Sequence, residues 1–287
     1  MLRIGTSSWN FDSWQGLVYE GGSRLSYLEQ YAERYDTVEI DRWFWSLFES
    51  PQPLLPDPRT AEEYARSVPE EFRFTVKVPN SITLTHHYRK DKSKPLRVNP
   101  HFFSPELFTA FLISIEALRG RIGALIFQFE YLNRQKIASQ GEFESRLQTF
   151  FSEVECPYPC TVETRNQQYL NDRYFEFLRR NRLFPCFLQG YYMPDLRGIL
   201  PGRESWFAAN DLAVIRLHGP DRPGMEKRTG KRWDRIVADK DEEIGEIIDA
   251  IGRLLRRGTD VYLNVNNHYE GSAPLTIAKI RDRLPGV

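Results

Sequence analysis

Eight short stretches of the chain carry the two-residue period of a β-strand, and amphipathic helical spacing fills the segments between them. The strands are read at Leu2–Thr6, Thr37–Ile40, Phe72–Val78, Ile122–Gln128, Cys160–Glu163, Pro185–Leu188, Leu212–Leu217 and Asp260–Asn264. Helical patterns cover Leu25–Arg34, a segment opened by Thr60 with Glu63 in capping-box position, and one opened by Ser104-Pro105-Glu106. Others cover Glu142–Phe151, Asn171–Asn181, Asp241–Arg256 and Pro274–Leu284. Pro79–Phe103, Gly190–Ser205 and Pro220–Arg235 show neither period and read as irregular loops or crossovers. Strand and helix alternating eight times with no linker predict a single (β/α)₈ barrel over residues 1–287, with enlarged loops after strands 3 and 7. A doubly wound open sheet is the runner-up, but no Gly-x-Gly-x-x-Gly follows the first strand.

The same alternation sorts the strand ends. Val38, Ile40, Val76, Val78, Val162, Ile215, Leu217 and Leu263 share the face that would pack on helices. Glu39, Lys77, Gln128, Glu163, Arg216 and Asn264 fall on the opposite face, toward the barrel mouth, where such folds keep their chemistry. A lone buried charge is costly, so these residues must pair among themselves or hold a ligand. A structural ion-pair network is the alternative to a functional site. The candidate acid/base groups are Glu39, Glu163 and His218, with Lys77 and Arg216 stabilising developing negative charge. Trp9, Asp41, Gln128, Arg165, Arg216, Asn264, Asn266 and Asn267 are the candidate substrate-binding residues.

Net charge bounds the partners. The 39 basic and 39 acidic residues cancel, so attraction to nucleic acid would have to come from local clusters, and none to a membrane is expected. Two such clusters occur, in the loops after strands 3 and 7. His86, Arg89, Arg222, Lys231 and Arg232 form a candidate anion or phosphate rim, interleaved with Trp9, Trp14, Trp43, Trp45, Tyr88 and Trp233. An anionic or phosphorylated small molecule is the first partner this suggests; a single-stranded or distorted nucleic acid is the alternative. The 3 Cys form no Cys-x-x-Cys pair and no apolar leader begins the chain, which points to a reduced, cytoplasmic setting. The 5 His are scattered, with no His-x-x-x-His, P-loop or Gly-x-Ser-x-Gly, so neither a metal nor a cofactor is expected.

In chain order the strand ends read Gly5-Thr6-Ser7-Ser8-Trp9, Thr37-Val38-Glu39-Ile40, Phe74-Thr75-Val76-Lys77-Val78-Pro79, Phe127-Gln128, Val162-Glu163-Thr164-Arg165 and Arg216-Leu217-His218-Gly219. Asn266-Asn267 and then Gly271-Ser272-Ala273-Pro274 close the series. This ordered series resembles the YecE-like family of uncharacterised proteins (domain of unknown function 72). The resemblance implies a TIM barrel with a polar mouth and a barrel likeness to endonuclease IV; it implies no reaction. Asp41 stands where that family tends to have Asn, Trp45 where it has Tyr, and Tyr169 where it has Trp. Phe129-Glu130-Tyr131 replaces a Leu-Pro-Pro-like turn, and His86–Val98 looks enlarged. The ring is kept while the rim differs, so the ligand can differ too.

Overall fold

The computed structural model describes residues 1–47, 52–88, 93–203, 206–207 and 211–284. Eight parallel strands pair in sequence order and close on themselves: β1 (Leu2–Ser7), β2 (Thr37–Ile40), β3 (Arg73–Lys77), β4 (Ile122–Gln128), β5 (Cys160–Glu163), β6 (Phe184–Gln189), β7 (Leu212–Leu217) and β8 (Asp260–Val265). The barrel expected from the alternation is therefore the fold.

Two interiors result. Outward-facing Val38, Phe74, Val76, Leu125, Val162, Ile215, Leu217 and Leu263 pack against the helices in one large core. Inside the lower barrel a smaller cluster of Ala124, Ile126, Cys186, Leu212, Val214 and Tyr262 fills the lumen, so the barrel is plugged below. Polar residues take over toward the carboxyl ends. Gly5 lets β1 lie close to β2, since a Cβ there would sit 2.0 Å from the Thr37 carbonyl oxygen.

Ten helices are seen among the described residues: α1 (Tyr27–Ala32), α2 (Pro58–Arg66), α3 (Asn80–Thr83), α4 (Pro105–Ser114), α5 (Gln140–Glu153), α6 (Asp172–Arg180), α7 (Leu196–Ile199), α8 (Arg222–Thr229), α9 (Asp241–Arg256) and α10 (Ala273–Arg283). In α9 the buried stripe Ile244, Ile247, Ala250, Ile251 and Leu254 follows the helical period. Acids in its first turn and arginines in its last complement the helix dipole.

Several local expectations are corrected. The cap of α2 is Asp57, whose carboxylate accepts from the Arg59 N–H with Pro58 at the first turn, in place of a Thr60–Glu63 box. Pro220–Arg235 is not all loop: Asp221 caps α8 and Gly230, left-handed at φ +60°, ends it. One-turn helices α3 and α7 interrupt the segments read as irregular after β3 and β6. Among the described residues no helix is long and apolar enough to cross a membrane.

Candidate functional site

Strand register assembles the ring. Ser7 lies opposite Glu39, Glu39 opposite Thr75, Gln128 opposite Glu163, and Arg216 opposite Asn264. Paired residues in a parallel sheet face the same way, so these side chains converge inside the mouth.

Arg216 is the hub. It is 1% exposed and meets Glu39 through two parallel bonds, Nε to Oε2 and Nη2 to Oε1, both 2.7 Å. Its Nη1 donates to Glu163 Oε2 at 2.5 Å and to Gln128 Oε1 at 2.9 Å. Arg165 donates its Nε to the other Glu163 oxygen at 2.7 Å. Asn264 Nδ2 donates to Glu39 Oε2 at 3.1 Å and to Thr75 Oγ1 at 2.9 Å. Every oxygen of the two glutamates is thus occupied. Burial alone would raise the Glu163 carboxyl, but the Arg165 and Arg216 guanidiniums beside it hold it at about 2. A carboxylate held that low stays ionised near neutral pH.

Lys77 behaves differently. Among the described residues no carboxylate or other acceptor takes its ammonium; its Nζ sits 3.8 Å over the centre of the Phe44 ring. Lys77 is 7% exposed. Burial drives its ionisation down, the neighbouring Arg216 adds to this, and Glu39, Asp41 and Glu163 hold it partway, at about 8. Asp41, half-buried, moves the other way: burial and the Glu39 charge raise it, against the pull of Lys77 and Arg216. Asp41 and Glu163 are two carboxylates of one mouth whose ionisation is pushed in opposite directions, the pattern that divides a proton-transfer group from a fixed charge.

His218, also 7% exposed, continues the inward face of β7 beyond Arg216. Neither of its ring nitrogens has a hydrogen-bond partner among the described residues, and its ring lies 5.8 Å from that of Tyr191. Burial, then Arg216, Arg165 and Lys77, push it well below the usual imidazole range, so the ring is neutral at physiological pH. Ser7 Oγ and Asn264 Oδ1 are likewise buried without partners. Buried polar groups are normally satisfied, so orphans gathered around a barrel mouth are atoms suited to a ligand or ordered water.

A cleft of about 710 Å³ opens beside the ring, above the ends of β4, β5 and β6. Gln128 and Arg165 are its floor; Tyr88, Tyr131, Tyr191 and Tyr192 supply aromatic walls. Arg165 also stacks on Tyr191, 4.9 Å from ring centre to guanidinium carbon. Tyr191 reaches this position with a left-handed φ of 52°. Phe44 and Tyr191 were not singled out by the sequence, because their roles arise from which strand end they lie against.

Other expected residues fall elsewhere. Trp9 packs edge-on against Tyr64, 4.9 Å between ring centres, within the helix-side core. Asn266 Oδ1 accepts from the His268 N–H, and Asn267 Oδ1 from the Ala273 N–H at the start of α10. The rim cations are matched with acids: Arg222 and Lys231 with Glu226 at 2.8 and 3.7 Å, Arg232 with Asp234 at 2.8 Å. His86 bonds Thr85 Oγ1 at 2.9 Å. Arg89 lies outside the described residues. Of the rim aromatics, Trp14, Trp43 and Trp233 are buried, while Trp45 and Tyr88 are exposed and meet at 5.8 Å. Among the described residues, the donors that gather closely enough for a metal are Asp239, Asp241 and Glu270, and the Lys279 ammonium sits within 3.1 Å of all three.

Comparisons with known proteins agree with the barrel fold. The description "Protein of unknown function DUF72" belongs to a family profile that matches residues 3–286. A DUF72 family protein from Thermotoga maritima MSB8 is 23% identical, with a TM-score of 0.67 and 99% of each chain covered. One from Enterococcus faecalis V583 is 21% identical, with a TM-score of 0.67, covering 99% of this chain and 95% of that one. D-psicose 3-epimerase from Clostridium cellulolyticum H10, at 13% identity and TM-score 0.50, covers 99% of this chain and 92% of its own and shares the barrel alone. No curated protein matches. The chain belongs to the DUF72 family of uncharacterised TIM-barrel proteins, the family its ordered strand-end motifs resemble.

Proposed function

We propose that this protein is a metal-independent acid/base enzyme acting on a phosphorylated or otherwise anionic small substrate, a sugar phosphate or nucleotide in size. The observation that carries the reading is Lys77, a buried amine near neutral ionisation with no ion pair among the described residues, beside a neutral His218 with both nitrogens free of partners. Such groups cost stability and are found where proton transfer needs them. Lys77, His218 and Asp41 are the proton-transfer groups; Arg216, Glu39 and Glu163 are the charged frame that fixes them.

An anionic group on the substrate suits the donor count. The frame commits both glutamates to Arg216, Arg165 and Asn264, while among the described residues the Lys77 ammonium and the terminal nitrogens of Arg165 keep donors to give. The aromatic cleft over Arg165 would seat the rest of the molecule. Independence of a metal is argued from the donors: the ring carboxylates already serve Arg216. The nucleic-acid alternative finds less support, because Arg222, Lys231 and Arg232 are each paired with an acid.

The test is turnover of sugar phosphates and nucleotides in D₂O, followed by proton NMR. At least one compound is expected to lose a C–H signal or be converted, and K77M to slow this by about 100-fold or more. A panel left untouched, with steeply salt-dependent binding of single-stranded oligonucleotides instead, would overturn the proposal.

A further inference from the structure

Lys77 is placed for more than moving a proton. Resting on the acid/base reading above, we propose that Lys77 captures a carbonyl carbon of the substrate as an imine, which makes the substrate a small aldehyde or ketone. Among the described residues Lys77 has no acid at ion-pair distance: its Nζ stands 3.8 Å over the Phe44 ring, and the nearby glutamates are bound to Arg216 instead. Amines become nucleophiles when desolvated or set beside another cation, and both conditions hold here, with burial the larger influence and Arg216 the next.

The neighbours complete the step. The neutral amine forms a C–N bond as the carbonyl π pair moves to oxygen, which takes a proton from the Asp41 carboxyl. The carbinolamine nitrogen returns a proton to the Asp41 carboxylate, and the hydroxyl leaves as water on receiving it back. The sum is amine plus carbonyl plus one proton giving iminium plus water. The iminium then acidifies the adjacent C–H, for which neutral His218 is the base. Orphaned Ser7 Oγ, Asn264 Oδ1 and the His218 nitrogens suit the hydroxyls of such a substrate. Glu163 has no proton to give at this step, since its guanidinium neighbours hold it ionised.

The experiment is reductive trapping. Folded protein is incubated with glycolaldehyde, and separately with dihydroxyacetone phosphate, in the presence of cyanoborohydride, and adducts are located by peptide mass spectrometry. Expected is a secondary-amine adduct on Lys77 at probe concentrations at least tenfold below those that label any other lysine, and none at this position in K77R or K77M. Labelling of other lysines with Lys77 unmodified, or no faster than they are, overturns the imine. If Lys77 stays unmodified while wild-type protein still exchanges substrate C–H with D₂O, the imine fails and the acid/base reading stands. If neither reaction occurs, both fail.

Discussion

A buried lysine with no ion pair among the described residues has a thermodynamic signature. The unfolded chain binds the Lys77 proton up to its ordinary 10.5, the folded chain only to about 8, so between these values the unfolded state holds more protons and stability rises with pH. The full penalty is present below pH 8 and is on the order of 3 kcal/mol. K77M is therefore expected to be more stable than wild type at pH 7, with the difference shrinking from pH 8 to 10, as read by urea unfolding at each pH. Glu163 acts with the opposite sense. Its ionisation is depressed, so its stabilisation is present above about 4.5 and lost as pH falls toward about 2. E163Q removes the carboxylate shared by Arg165 and buried Arg216, leaving Arg216 only its Glu39 pair, and is expected to cost on the order of 3 kcal/mol in the same measurement. A loss under 1 kcal/mol would mean that Glu163 does not complete the frame.

At the scale of elements, the mouth depends on close strand-end packing. Gly190, just past β6, has φ +129°, and a Cβ there would lie 1.7 Å from the His218 carbonyl oxygen. G190A is expected to push the end of β7 away, shifting the His218 ring resonances in NMR spectra and lowering the unfolding midpoint; unaltered His218 signals would show that this contact does not position the ring. Strands were legible because period-two alternation survives in any context, and all eight were found within two residues of their ends. Helix α8 was not, because Arg-Pro-Gly-Met-Glu-Lys-Arg-Thr has no apolar stripe and carries both residues that usually break helices. Its caps, Asp221 and Gly230, were the available signal. The location of the polar ring was legible from the same alternation. Roles within it were not, because whether a glutamate is a shuttle or a fixed charge depends on which arginine the barrel closure brings to it, and Arg216 lies 177 positions from Glu39.

For the whole molecule, apolar side chains plug the lower lumen and the hydrogen-bonded frame lies above them, with Gln128 and Arg165 facing an aromatic cleft. Overall charge is zero and the rim cations described are matched with acids, so single-stranded oligonucleotides are expected to bind no more tightly than to a neutral control protein at 100 mM salt. Nucleotides and sugar phosphates are expected instead to raise the melting temperature, an effect lost in R165A. The most direct measurement is the ionisation of Lys77 itself, by competitive labelling of all lysines with an amine reagent from pH 6 to 11 and quantification of each peptide. Half-maximal reactivity of Lys77 near pH 8, well below the surface lysines, is the predicted result; a value at or above 10.5 would mean that an acid holds the ammonium, and the proposed chemistry would lose its centre.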